Sequence, residues 1–146
     1  MQRSRDSTRK FLLDTNVFIA AVKDPERQTD TLRLLLKFVK DPGIELVGDV
    51  LLAAEMSRYA ELLKSERAAM LISALLAKME IGVVPESCVR ACMTYISTPD
   101  KADVLHAAAC LQTGAALITN DKHFDVIKKA GIIEVLSVSE AIKKLL

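Results

Sequence analysis

Four acidic residues stand where an ordinary core has no use for a carboxylate. Asp14 follows an apolar run in "FLLDTN", and Asp121 follows another in "ALITND". Glu55 falls inside the apolar stripe of "VLLAAEMSRYAELLK", at helical spacing from Leu51, Leu52, Tyr59 and Leu62. Asp103 opens "DKADVLHAAACLQ", where its neighbours are Ala and Leu. Each acid has a plain structural explanation. Asp14 and Asp121 can cap the helices that follow them. Glu55 can pair with Arg58, three residues on. Asp103 can complement a helix dipole. Taken together they suggest something else. Carboxylates brought close repel one another unless a proton or cation is shared. Clustered hard oxygen ligands suit Mg²⁺ or Mn²⁺. Such a site leaves room for water and a substrate phosphate, which is the arrangement for metal-assisted phosphodiester hydrolysis.

The elements that must bring these acids together can be read along the chain. Short apolar runs alternate with longer helical ones. "KFLLD", "IELVG", "IGVVP", "AALIT" and "IIEVL" read as five strands, nearly all apolar, as expected when both faces are covered. Helices fill the intervals. Asp49 sits at the N-cap of the helix holding Glu55, and Ser65 at the cap of "SERAAMLISALLAKME". Thr98-Pro99 gives a start signal for the Asp103 helix, Gly114 ends it, and Ser137-x-x-Glu140 is a capping box. Strands separated by helices imply crossovers, hence a mainly parallel sheet in a three-layer α/β/α fold. Ligands in such sheets collect at the carboxyl ends of strands, where Asp14 and Asp121 stand.

Composition narrows the alternatives. The 146 residues suit a single domain, 1–146, with residues 1–9 read as a flexible polar tail. Aromatics are 4% with no Trp, which argues against a base-stacking platform. Net charge is +1, so any nucleic-acid site must rely on local charge and bound metal. Three cysteines, with no signal-peptide pattern, fit a reducing compartment and a cytoplasmic location. No apolar run approaches the ~20 residues of a membrane span. His106, one turn after Asp103, reads as a satisfied core histidine, with a supporting hydrogen bond to the acidic cluster as the other reading.

"LLDTNVFI", the Glu of "LLAAEMSRY", "DKADVLHAAACLQTGAALITND" and "NDKHF" together resemble the PIN domain family of metal-dependent ribonucleases. The resemblance spans nearly the whole chain and keeps the order of acids. It implies that Asp14, Glu55, Asp103 and Asp121 are the catalytic, metal-binding quartet. Asn16 matches a polar position that holds water or phosphate, and Thr119 and Asn120 match the polar approach to the last acid. Asp125 matches a place where further acids occur. It further implies one or two Mg²⁺ or Mn²⁺ ions, an RNA substrate and a homodimer. Small members of this kind are toxins of toxin–antitoxin pairs (VapC-like), so an antitoxin partner is implied as well. Lys101, Lys122 and His123 are the nearest groups for steering phosphate. A non-catalytic RNA- or protein-binding module is the alternative, against which the complete quartet argues. A haloacid-dehalogenase-like phosphatase would need Asp two residues after Asp14, where Asn16 stands. No glycine-rich phosphate loop or G-x-S-x-G elbow is present.

Overall fold

The computed structural model describes residues 9–23, 29–96 and 101–146. Strand β1, Arg9–Leu13, leads into helix α1, Thr15–Val22. Helix α2, Asp30–Lys40, returns the chain to β2, Ile44–Gly48. Helices α3, Val50–Leu62, and α4, Glu66–Lys78, precede β3, Met79–Ile81. Helices α5, Glu86–Met93, and α6, Lys101–Thr113, lead to β4, Ala116–Ile118. A single 3₁₀ turn, Lys122–Phe124, runs into α7, Asp125–Ala130. Strand β5, Val135–Leu136, and α8, Val138–Leu145, complete the order. The Thr98-Pro99 start signal and most of the N-terminal tail lie outside the described residues.

All strand pairs are parallel, in the order β3-β2-β1-β4-β5. The chain leaves β1 toward one edge and later returns to lay β4 on its other side. The carboxyl ends of β1 and β4 therefore flank the point where strand order reverses, the place where open α/β sheets form crevices. Leu13 pairs with Ile118 in register, so the residues after each strand leave side by side.

The strands of the sheet's centre are apolar on both faces because both are covered. Phe11 meets Phe38 of α2, with ring centroids 5.4 Å apart, on one face. Helix α6 packs against β1, β2 and β4. It is buried over Asp103, His106, Ala107, Ala108, Ala109 and Cys110, and small side chains let it approach the sheet closely. At Gly48 a Cβ would run into the Met79 thioether, so any larger residue there requires the Met79 side chain to move.

β4 and β5 are shorter than their apolar runs suggest, and β3 is displaced: it spans Met79–Ile81 rather than the expected "IGVVP" at 81–85, sharing only Ile81 with it. β3 ends at Ile81 because its register partner, Gly48, is the last residue of β2. Val83 beyond it is 89% exposed. β5 keeps only Val135 and Leu136, the residues opposite Leu117 and Ile118. An apolar run continues as a strand only while a neighbour offers hydrogen bonds.

Three expected caps are present. Ser65 accepts from the Ala68 amide at 3.2 Å, Asp49 from Leu52 at 2.8 Å, and Ser137 and Glu140 form the capping box. Helix α4 buries Ala68, Ile72 and Leu75 while Met70 stays exposed, so it contributes one apolar stripe to the core. Among the described residues, no helix is long and apolar enough to cross a membrane.

Candidate functional site

Asp14 occupies the N-cap position of α1, yet its side chain makes no capping hydrogen bond. Its Oδ2 instead accepts from the Thr119 hydroxyl at 2.8 Å, across the gap between the tips of β1 and β4. Only 5% of Asp14 is exposed. Burial raises its carboxyl above the usual 3.8, against the lowering effect of the Thr119 hydrogen bond and the His106 charge. The nearby charge of Asp121 adds to the rise. The fold therefore holds this carboxylate where its charge is unwelcome.

Thr119 also accepts from the Asp121 amide at 2.9 Å, so one hydroxyl links both strand-tip acids. Asp121 does act as a cap: its Oδ1 accepts from the His123 amide at 2.9 Å and closes the 3₁₀ turn. That bond brings the His123 ring back over the acids. Its Nδ1 lies 3.0 Å from Asp103 Oδ2 and 3.3 Å from Asp121 Oδ1.

Glu55 sits at the edge of its stripe, and the pair with Arg58 is present at 3.7 Å through Oε2. Its Oε1 accepts a hydrogen bond from Thr15, the residue after Asp14. Pairing and site placement thus coexist in one side chain.

A pocket of about 170 Å³ gathers these groups. Its lining includes Asp14, Glu55, Asp103 and Asp121, together with Thr15, Asn16, Tyr59, Ala102 and His106. All four acids singled out in the sequence therefore share one cleft at the carboxyl edge of the sheet. Other expected members fall elsewhere. Asn120 turns its side chain to accept from the Val138 amide at 3.0 Å, which ties β4 to the start of α8. Asp125 is exposed at the first residue of α7 and does not line the pocket. Lys101 lines a separate apolar groove with Leu51, Val89 and Met93, and Lys122 is exposed outside the pocket lining.

His106 is the satisfied core histidine of the first reading, and its hydrogen bond runs to Asp49 rather than to one of the four acids. It is buried, and its Nδ1 lies 2.5 Å from Asp49 Oδ2. Burial disfavours its charged form, but the Asp49 hydrogen bond and the charges of Asp49, Asp14 and Asp103 outweigh that and raise its pKa above 6.5. It therefore lines the acidic pocket while being satisfied from behind. Asp49 itself is an addition to the sequence reading, which took it for a cap alone. Oδ1 caps α3 and Oδ2 meets His106, and no buried side-chain polar atom among the described residues lacks a partner. Its 1% exposure is the feature that separates it from an ordinary cap.

Four carboxylates with hydroxyl and amide neighbours make a donor set of hard oxygens, which fits a divalent cation of the Mg²⁺ or Mn²⁺ kind. The raised carboxyl of Asp14 supports that fit, because positive charge in the cleft would relieve it. Asp103, Asp121 and His123 place one ligand atom each within 4.8 Å of one another.

Among solved structures, the chain is similar to VapBC2 from Rickettsia felis bound to a DNA fragment from its promoter. The TM-score is 0.58 at 19% identity, covering 88% of this chain and 98% of that one. VapBC-1 from nontypeable Haemophilus influenzae matches with TM-score 0.59 at 20% identity, over 89% and 98%. FitAcB from Neisseria gonorrhoeae matches with TM-score 0.58 at 17% identity, over 88% and 98%. At these identities the likeness is one of fold. No curated protein sequence matches the chain. The PIN domain sequence profile matches residues 11–130, most of the chain, and the protein belongs to the PIN domain family.

Proposed function

We propose that this protein is a divalent-metal-dependent endoribonuclease that hydrolyses phosphodiester bonds at the Asp14–Glu55–Asp103–Asp121 cleft. The observation that carries the reading is the gathering of those four carboxylates in one pocket of about 170 Å³ at the strand-order reversal. An acidic pocket repels a phosphate backbone by itself, so the chemistry requires a cation between them.

The four acids are the groups that would hold Mg²⁺ or Mn²⁺. Such an ion lowers the pKa of a water and offsets charge developing on the phosphoryl oxygens. The chain's own contribution is placement. Thr119 fixes Asp14 and the Asp121 backbone relative to each other. Thr15 holds Glu55 against the mouth of the same cleft. Helix α6 presents Asp103 in its first turn, where the helix dipole favours an acid. Asn16, exposed at the rim, offers an amide to a phosphate or water. Rigid attachment to two strand tips and two helices keeps the donors preorganised, which is the main protein contribution to electrostatic catalysis.

The similarity to VapBC and FitAcB structures supports a further reading, that this chain is the toxin of a toxin–antitoxin pair with a protein inhibitor as partner. A homodimer is part of the same proposal. Purified protein should cleave RNA in Mn²⁺ or Mg²⁺, stop in excess chelator, and stop in Asp14→Asn. Equal cleavage by that variant, or in chelator, would remove the mechanism. A scaffold without catalysis would leave RNA intact under every condition.

A further inference from the structure

His123 is not one of the four acids, yet it reaches two of them. Its Nδ1 is 3.0 Å from Asp103 Oδ2 and 3.3 Å from Asp121 Oδ1. The backbone aims it there. The Asp121 cap on the His123 amide folds the 3₁₀ turn, and Phe124, fully buried, anchors the turn from below. The His123 side chain is 53% exposed, so its contacts with the two acids contribute little to stability.

The spacing suits another role. Ligands about 2.1–2.2 Å from an octahedral ion stand roughly 3.0–3.1 Å apart along each edge. The 3.0 Å separation from Asp103 is an edge of that size and the 3.3 Å separation from Asp121 is slightly longer, and one ligand atom from each of the three residues lies within 4.8 Å of the others, so the imidazole stands where an ion between the two carboxylates would meet it. An imidazole nitrogen also changes the donor chemistry. Oxygen-only sites suit Mg²⁺, whereas imidazole favours transition metals over it.

We propose that His123 is a metal ligand completing the Asp103–Asp121 side of the cleft, and that its nitrogen biases the site toward Mn²⁺ or another transition ion over Mg²⁺. This rests on the metal-site reading above and adds to it a fifth donor outside the acidic quartet. Its Nδ1 must be the coordinating atom, since that is the atom facing both carboxylates.

The test uses the full chain, stripped of metal and titrated separately with MnCl₂ and MgCl₂ by calorimetry. The expected result is tighter binding of Mn²⁺ than Mg²⁺ by wild type. His123→Ala should lose Mn²⁺ affinity by about 10–100-fold and Mg²⁺ affinity by less than about threefold. His123→Asp, which returns an oxygen donor, should bring the two affinities together. Electron spin-echo modulation of bound Mn²⁺ should show coupling to ¹⁴N in wild type and lose it in His123→Ala, a signature that separates direct ligation from support of the acids. Specific Mn²⁺ binding without ¹⁴N coupling, or with equal affinity in His123→Ala, overturns the His123 proposal and leaves the acidic site standing. No specific binding of either ion by wild type overturns both.

Discussion

Replacing Asp49 by Asn changes one charge in the interior and almost nothing else. Asn is as good an N-cap as Asp, so the bond to the Leu52 amide is retained. What disappears is the carboxylate 2.5 Å from His106 Nδ1, in a pair whose side chains are 1% and 2% exposed. A hydrogen bond between charged groups contributes about 1.5–3 kcal/mol, so Asp49→Asn should lose that much at pH 6. The pH dependence is the sharper readout. His106 has its folded pKa above 6.5, so the folded state binds more protons than the unfolded state between 6.5 and that value. Its contribution is complete below 6.5 and is lost as pH rises through the folded pKa, with a slope of at most about 1.4 kcal/mol per pH unit. In Asp49→Asn, burial is left as the dominant influence, and it favours neutral imidazole. The difference in stability between wild type and variant should therefore shrink as pH rises from 6 to 8.5. Urea unfolding in chelator, with slopes checked for constancy, measures it. Parallel wild-type and variant curves across that range would refute the charged pair.

Asp14→Asn should abolish RNA cleavage while making the metal-free protein more stable at pH 7. The sign follows from the raised carboxyl: holding Asp14 ionised above its elevated pKa costs folded-state free energy, and the amide keeps an acceptor for Thr119. Thermal melts in chelator check the stability, and a lower midpoint than wild type would contradict it. Thr119→Val removes a donor to Asp14 and an acceptor for the Asp121 amide. It should cost about 1.5–3 kcal/mol and weaken divalent-ion binding about 10–100-fold, while Thr119→Ser stays within threefold or so of wild type. Gly48→Ala should cost on the order of 1 kcal/mol, because the new Cβ displaces the Met79 side chain from its place at the β2–β3 edge. Adding Met79→Ala should recover part of that loss, and an additive double-mutant cycle would show that the contact is not the cause.

Which parts of this arrangement could be read from sequence follows from the range of the forces involved. Asp14 and Asp121 were visible because an apolar run that ends in an acid is a local pattern, and parallel strands share a carboxyl edge. Glu55 was visible as a break in helical periodicity. The Asp49 pair was not, because the residue that changes its meaning, His106, lies 57 positions away and is brought near only by the packing of α3 beside α6. Thr119 looked like an approach to Asp121, and its hydroxyl does accept from the Asp121 amide, but it also donates to Asp14, 105 positions back, which no local pattern shows. Asn120 was placed at the site by the family resemblance, but neighbours in an extended segment point to opposite sides, and its side chain leaves for α8. β5 was read too long and β3 too late in the chain because apolarity reports burial, while a strand lies where a partner offers hydrogen bonds, here Met79–Ile81 beside Leu46–Gly48. The His123 geometry depended on a 3₁₀ turn where a continuous helix was expected from Lys122.

The central claim is that four carboxylates separated in sequence share one cation. A crystal equilibrated with Mn²⁺ and measured for anomalous scattering tests it most directly. The account predicts a peak in the pocket, with carboxylate oxygens of Asp14, Glu55, Asp103 and Asp121 about 2.1–2.3 Å away or joined to it through one water. The same crystal of Asp14→Asn should show that peak weakened or gone. A saturated crystal with no anomalous peak between those carboxylates would contradict the account.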